Sequence, residues 1–363
     1  MMEQDGQALA ALALPRLRAW LNDPAAEVTS VAASANGFSA RTIIATLRSE
    51  SGASREIVMR FEHPGMEIFL GTDIAEQARV ASALVRHDIP APRIIGVETD
   101  QSVAGCSFMA MERAPGRGFP QSPSYLVAGW VKELAPEART RLWEGALSVL
   151  GRIGRLDWRE GFAFLDRPDY GATGLDQYLG WLRAWRNDVL GDDAHAIIDA
   201  GLDHLEKHRP DDLPVSVIWG DSNPGNMLFN DDLSVGAILD FEAAALGPAE
   251  IDLGWWLFLD RRRSSGLPEM AGKPDRDQCI AIVERSLGRP VQAIDYFEIM
   301  GGVRMSLVVA RTISRLKERG ALPAANNAAL HNPIAGMLAR LLGLPEAESG
   351  QDFHEFVAAV SRR

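Results

Sequence analysis

The stretch WGDSNPGNMLF, residues 219 to 229, crowds an acid, two amides, two glycines and a proline between the β-branched run at 215–218 and the apolar Met227–Phe229. It holds a carboxylate at Asp221 and an amide five residues later at Asn226. A second apolar run, VGAILDFE at 235–242, ends in Asp240 and Glu242. A hairpin pairing 227–229 with 235–239 brings Asn226 and Asp240 to one end of a sheet. One amide oxygen with one or two carboxylates suits Mg²⁺, a hard cation that keeps waters and takes substrate phosphates as its remaining ligands. Asp221 stands beside such a metal without needing to bind it. The competing reading of the same residues is a polar hairpin of caps and turns.

The elements that must position these groups fall into two textures. Up to about residue 115 the chain has short β-type runs at 27–34, 41–47, 56–61, 93–98 and 106–112, interrupted by a helical spacing at 72–87. This predicts a small sheet with one helix inserted after its third strand. After the Gly- and Pro-marked linker RAPGRGFP at 113–120, helical patterns cover 125–155, 174–190, 193–208, 276–287, 291–319 and 328–342, around a β island at 215–241. The expected organisation is an N-terminal helical extension at 1–26, a sheet lobe at 27–113 and a mainly helical lobe at 114–363: a two-lobed α+β fold.

Composition narrows the function. The 363 residues carry 37 Lys and Arg against 49 Asp and Glu, a net charge of −12. No dense basic run appears, so the footprint of nucleic-acid binding is missing. The two cysteines, Cys106 and Cys279, lie far apart with no CxxC partner, which argues for a reducing compartment and against structural zinc. The N-terminus opens with acids, and its apolar run is cut by Pro15 well short of a membrane span. The expectation is a soluble, cytoplasmic protein with no nucleic-acid or membrane partner. No GxxxxGK[ST], G-x-S-x-G or zinc-ligand spacing occurs, which removes P-loop NTPases, α/β-hydrolases and zinc enzymes.

Asp221 and Asn226 match the D-x-x-x-x-N catalytic loop of kinases, in which the Asp accepts the proton of the attacking hydroxyl and the Asn holds metal. Taken together, WGDSNPGN, ILDFE and LGPAEIDLGWW resemble the three signature segments of the aminoglycoside-phosphotransferase-like family of the protein-kinase-like superfamily. The resemblance extends from about residue 27 to 260: SANGFSART is similar to the phosphate loop, VMR to the third strand, IPAPRIIGV to the fourth and FMAMERAPG to the hinge. It implies a kinase-like α+β fold and an ATP- or GTP-dependent, Mg²⁺-requiring phosphotransferase acting on a small-molecule hydroxyl. By the same resemblance Asp221 is the base, and Asn226 and Asp240 are Mg²⁺ ligands. Glu242 stands behind them or serves a second metal, and Asp252 braces the catalytic loop. The nucleotide falls to Gly37, Ser39 and the amides of 38–40, to Arg60 with Glu76 or Gln77 as its partner on the following helix, and to hinge backbone from Met111 through Arg113 to Ala114.

Three positions depart from the family pattern. Trp219 replaces the His of H-G-D, whose bracing an indole can supply by packing. Arg60 replaces Lys, and a planar fork is not an ammonium point charge. The phosphate loop holds one glycine, Gly37. Trp181 with Trp185, and Trp255 with Trp256, suggest a substrate box, although aromatics at helical spacing more often form core. His204 and His208 lie at i,i+4 without a third metal ligand and are expected at a solvated helix end. Two alternatives stay open: a kinase of hydroxyacyl or macrolide-type acceptors, and a catalytically weak nucleotide-binding pseudokinase. A polycationic acceptor needs converging acids, for which GDDAH, RPDD and FLDR are the candidates.

Overall fold

The computed structural model describes residues 2–33, 40–346 and 349–361. Helix α1 (Met2–Leu21) precedes β1 (Glu27–Ala33), β2 (Ala40–Arg48) and β3 (Ser54–Glu62); α2 (Ile74–Arg86) then leads to β4 (Ile94–Glu98) and β5 (Phe108–Glu112). The five strands form an antiparallel sheet in the order β1-β2-β3-β5-β4. Strand β3 shows why this sheet has two different faces. Side chains alternate along a strand, so Ile57, Met59 and Phe61 pack with Ala10, Ala13 and Leu17 of α1 on one face. Val58 joins Met109, Met111 and the α2 residues Ile74 and Ala78 on the other. Arg60 follows Val58 on that second face. Asp73 caps α2, its carboxylate accepting from Glu76 N at 2.6 Å.

The remaining chain is mainly helical: β6 (Arg117–Gly118), α3 (Trp130–Glu133), α4 (Pro136–Gly154), α5 (Leu175–Leu190), α6 (Ala196–Lys207), β7 (Ser216–Ile218), β8 (Met227–Phe229), β9 (Val235–Ile238), β10 (Ala245–Gly247), α7 (Glu250–Ser264), α8 (Arg276–Leu287), α9 (Ile294–Glu318), α10 (Pro333–Leu341) and α11 (Gln351–Ser361). The expected hairpin is present, with Met227 opposite Ile238 and Leu228 opposite Ala237. Strand β6 pairs with the far side of β8, and β7 pairs with β10. The mixed α+β architecture is thus the one read from the chain, a sheet lobe followed by a helical lobe.

Some boundaries differ from the sequence reading for identifiable reasons. The single helix expected at 125–155 is divided, because Pro136 starts α4 and the residue before a proline is driven to extended backbone; Ala135 has φ −63° and ψ 151°. Helix α7 was not expected as a helix. Every residue from Glu250 to Leu259 is buried, so no polar face marks the 3.6-residue period. Short β6 and β10 and the terminal α11 also gave no readable period. Among the described residues no helix is long and apolar enough to cross a membrane.

Helices α7 and α9 are the internal frame of the second lobe. They approach so closely that a Cβ on Gly254 would lie 2.3 Å from the Phe297 carbonyl oxygen. Gly254→Ala must therefore push these helices apart, and overpacking of this kind costs about 1–3 kcal/mol. A lower midpoint in chemical denaturation checks this; an unchanged midpoint would mean that the pair has slack.

Candidate active site

Gly220 turns the chain out of β7 at φ 91°, a conformation that side chains rarely adopt, and a Cβ there would lie 2.0 Å from the Ala243 carbonyl oxygen. The turn is held from below by α7. Asp252, buried in the first turn of that helix, accepts from Trp219 N and Gly220 N at 2.8 Å each. Ser222 Oγ donates to the Asp252 carbonyl at 2.7 Å. Burial pushes the Asp252 carboxyl up to about 6 against the opposing pull of the two amides and Arg304.

Arg304, on α9, is fully buried beneath this loop. Its Nη2 donates to the Gly220 carbonyl at 2.8 Å, and its guanidinium stacks 4.3 Å from the Trp255 ring centroid and 5.9 Å from that of Tyr178. The sequence reading passed over Arg304. Its signal was a lone charge inside the apolar run IMGGVRMSLVV, where an unpaired guanidinium is too costly to be incidental.

Asp221 emerges from this frame with its carboxylate held on both edges. Asn226 Nδ2 donates to Oδ2 at 2.6 Å, while Trp255 Nε1 and Asn223 Nδ2 donate to Oδ1 at 2.9 and 3.1 Å. Burial and then the Asp240 carboxylate raise its pKa, and the Trp255 and Asn226 bonds act the other way. A carboxylate has about four lone-pair sites, so three donors leave room for one hydroxyl. Trp255, considered above as part of a substrate box, instead orients the carboxylate. Trp181 and Trp185 are core, their Nε1 atoms donating to the carbonyls of Leu70 and Ile68 at 3.0 Å.

Asp240 lies two residues beyond β9 at φ 63°, a left-handed position that Asp tolerates better than most residues. Trp219 stabilises this bend. Its Nε1 donates to the Leu239 and Asp240 carbonyls at 2.9 and 3.2 Å, so the indole braces by hydrogen bonding as well as by packing. Asn226 is tied to the same segment through its carbonyl, which accepts from Leu239 N at 2.8 Å.

Across the lobes, Arg60 Nη2 lies 3.2 Å from Asp240 Oδ1 and bonds Glu242 Oε1 still more closely. The expected Arg60–Glu76 pair is not formed. Glu76 bonds Arg167 of the helical lobe, and Gln77, the other candidate, is buried. The two carboxylates at the end of the hairpin outcompete one on α2 for the buried guanidinium. Burial raises the Glu76 pKa against the pull of Arg167.

Met111 lies within the sheet, opposite both Val58 and Ile94, so its backbone is in the ladder and its side chain is packed. Arg113 pairs with Glu56 at the exposed edge, and it is the backbone after Glu112 that leaves the sheet. Gly37, Ser39 and the 38–39 amides lie outside the described residues. His204 and His208 stack at 4.1 Å at the end of α6, and among the described residues no group of three or more His, Cys, Asp or Glu could hold a metal ion.

The fit of Mg²⁺ to this site rests on a smaller donor set. Asn226 spends its Nδ2 on Asp221, which turns its oxygen the other way, and Asp240 and Glu242 already converge on a cation in Arg60. One amide oxygen and two carboxylates suit an ion that completes its shell with water and phosphate.

The phosphotransferase enzyme family matches residues 31–278. The fold is similar to that of a Ralstonia eutropha JMP134 protein provisionally named an aminoglycoside phosphotransferase (TM-score 0.66, 22% identity, covering 91% of this chain and 98% of that one). It is also similar to a macrolide 2′-phosphotransferase from Brachybacterium faecium (TM-score 0.53, 17% identity, covering 93% and 99%) and to an ethanolamine kinase from Plasmodium vivax (TM-score 0.55, 14% identity, covering 88% and 84%). The chain belongs to the phosphotransferase enzyme family.

Asp252 makes the bracing testable. Its pKa in the folded protein, about 6, exceeds the ordinary 3.8. Its favourable contribution is therefore full below about pH 4 and is lost as pH rises through 6. Asp252→Asn leaves one backbone amide unpaired and should cost about 1–3 kcal/mol at pH 7. Between pH 7 and pH 5 the wild type should gain roughly 1 kcal/mol over that variant. Urea denaturation at both pH values checks this, and parallel pH dependences would refute the raised pKa.

Proposed function

We propose that this member of the phosphotransferase enzyme family transfers the terminal phosphoryl group of ATP or GTP to the hydroxyl of a small molecule, with Mg²⁺ as cofactor and Asp221 as the base that takes the hydroxyl proton. The observation that carries this reading is the state of Asp221. Its carboxylate is fixed by Trp255, Asn223 and Asn226 and its proton affinity is raised by burial and by Asp240. A fixed base of raised pKa beside a charged, phosphate-suited site is what alcohol phosphorylation requires.

Phosphoryl transfer needs positioning and charge neutralisation more than covalent chemistry. Asn226, Asp240 and Glu242 would hold the metal, which when bound neutralises donor-phosphate charge. Arg60 reaches the same place from the sheet lobe and would turn its fork to the phosphates once its carboxylates have another cation. Hinge backbone around Met111, Arg113 and Ala114 would receive the base of the nucleotide, with the Gly37 and Ser39 segment over its phosphates. Asp221 accepts the proton of the acceptor hydroxyl and orients its oxygen toward the phosphorus. Such a protein would work in the cytoplasm, where the nucleotide is abundant.

The weak pseudokinase is the second reading. It is favoured by one observation, that Arg60 is engaged with the proposed metal ligands rather than with α2.

Mg²⁺ with ATP or GTP should raise the melting temperature; at 100 times Kd the stabilisation is about 2.7 kcal/mol. No shift with either nucleotide at millimolar concentration would sink the donor assignment. Asp240→Ala should lose both metal-dependent nucleotide binding and turnover. Asp221→Asn should retain nucleotide binding while transfer slows by roughly 10²–10⁴-fold. Transfer at the wild-type rate in Asp221→Asn would remove the base, and nucleotide binding without transfer to any alcohol would favour the pseudokinase.

A further inference from the structure

The site carries a positive charge that the phosphoryl donor does not account for. Arg263 lies in the last turn of α7. Its Nη2 donates to Asn223 Oδ1 at 3.2 Å, and Asn223 Nδ2 donates to Asp221 Oδ1 at 3.1 Å. The guanidinium therefore sits one asparagine side chain from the base. The hydroxyl of buried Tyr125 lies near both Arg263 and Asp260, and burial pushes its pKa up to about 12, so it stays neutral.

Asn223 and Tyr125 are thus both uncharged, and among the described residues Arg263 enters no ion pair. The neighbouring acids are already taken. Asp260 is bound by Lys273 Nζ at 2.6 Å, and Glu298 by Arg261 and Arg276. The acids that a polycationic acceptor would need are gathered elsewhere: Asp192, Asp193 and Asp199 surround Arg186 at the α5–α6 turn. Arg262, beside Arg263, is exposed and adds to the positive end of the helix.

The position of this charge separates acceptor from donor. Oδ2 of Asp221 faces Asn226, which is tied to the segment that leads to Asp240. Oδ1 faces Trp255 and Asn223, with Arg263 behind Asn223. A guanidinium has five N–H donors in a planar fork matched to carboxylate and phosphate. Two neutral contacts leave donors over, and a partly buried charge without a counter-ion favours an arriving anion and opposes an arriving cation.

We propose that the acceptor alcohol carries an oxyanion, a carboxylate or a phosphate, and that Arg263 binds it and so determines specificity. This rests on the phosphotransferase reading above. The acceptor hydroxyl oxygen forms the new bond to the γ-phosphorus, and the bond from that phosphorus to the bridging oxygen breaks. The electron pair leaves on the nucleoside diphosphate, and the hydroxyl proton passes to Asp221.

The test is nucleotide consumption by the full chain with Mg²⁺ and ATP or GTP, against two acceptor panels. One holds glycerate, pantothenate and glycerol 3-phosphate; the other holds kanamycin, hygromycin B, erythromycin and choline. Turnover confined to the anionic panel is expected. Arg263→Gln should raise the KM of an anionic acceptor roughly tenfold or more with the nucleotide KM unchanged, and Arg263→Lys should recover part of the loss. Turnover of cationic or neutral acceptors alone would overturn the inference while leaving the phosphotransferase reading intact. So would nucleotide binding with no turnover of the anionic panel, or an anionic acceptor whose KM ignores Arg263→Gln. Failure to bind Mg²⁺-nucleotide would strike the underlying reading, and this inference would fall with it.

Discussion

Everything at this site depends on one buried carboxylate. Asp252 accepts the two consecutive backbone amides of Trp219 and Gly220, and these bonds hold the turn that presents Asp221 from the side of α7. A buried acid is tolerable only when its hydrogen bonds are made and charge lies nearby. Arg304 supplies that charge while binding the carbonyl of the same Gly220. The loop is therefore held through both backbone polar groups of one residue, by an acid from α7 and an arginine from α9. The close packing of those helices at Gly254 governs the geometry of Asp221 from a distance.

A second constraint runs between the lobes. Arg60 extends from the cleft face of β3 to Asp240 and Glu242, joining a strand of the small sheet to the end of the hairpin. Arg167 and Glu76 make a parallel connection from the helical lobe to α2. Both crossings are ionic, and ion pairs can be exchanged for other charges in a way that apolar packing cannot. A cleft crossed by exchangeable pairs is suited to a polyanionic donor and its cation, which bring the replacements for both partners of Arg60.

How much of this could be read from the chain follows from what each residue needs. Asp221, Asn226 and Asp240 were legible because their spacing is set by a short hairpin, and a hairpin is local. Strand β3 was legible by its alternation. Helix α7 was not, since burial on every side erases the period that reveals a helix, and it carries both Asp252 and Trp255. Arg304 and Arg167 reach the site from distant sequence, and their partners are decided by packing. The Arg60–Glu76 pairing failed for a related reason: sequence can place a charge on the cleft face, but which of several carboxylates wins depends on depth and distance.

Three arginines lie around the catalytic-loop region, and the partners of each distinguish their roles. Arg304 is sealed between a carbonyl and two aromatic faces, so it acts by holding the loop and by its charge on Asp252 and Asp221. Arg60 is satisfied by carboxylates that a metal ion would also seek, so it can change partners when the donor arrives. Among the described residues Arg263 enters no ion pair, and its hydrogen bond to the Asn223 amide oxygen fixes its direction without cancelling its charge. A guanidinium held in place without an ion pair beside the proposed base retains its attraction for an anion that enters from that side. On the proposed reading, this charge would disfavour a polycation beside Asp221, although the chain as a whole is acidic at −12. On that reading local compensation, and not net charge, would decide which acceptors this cleft favours.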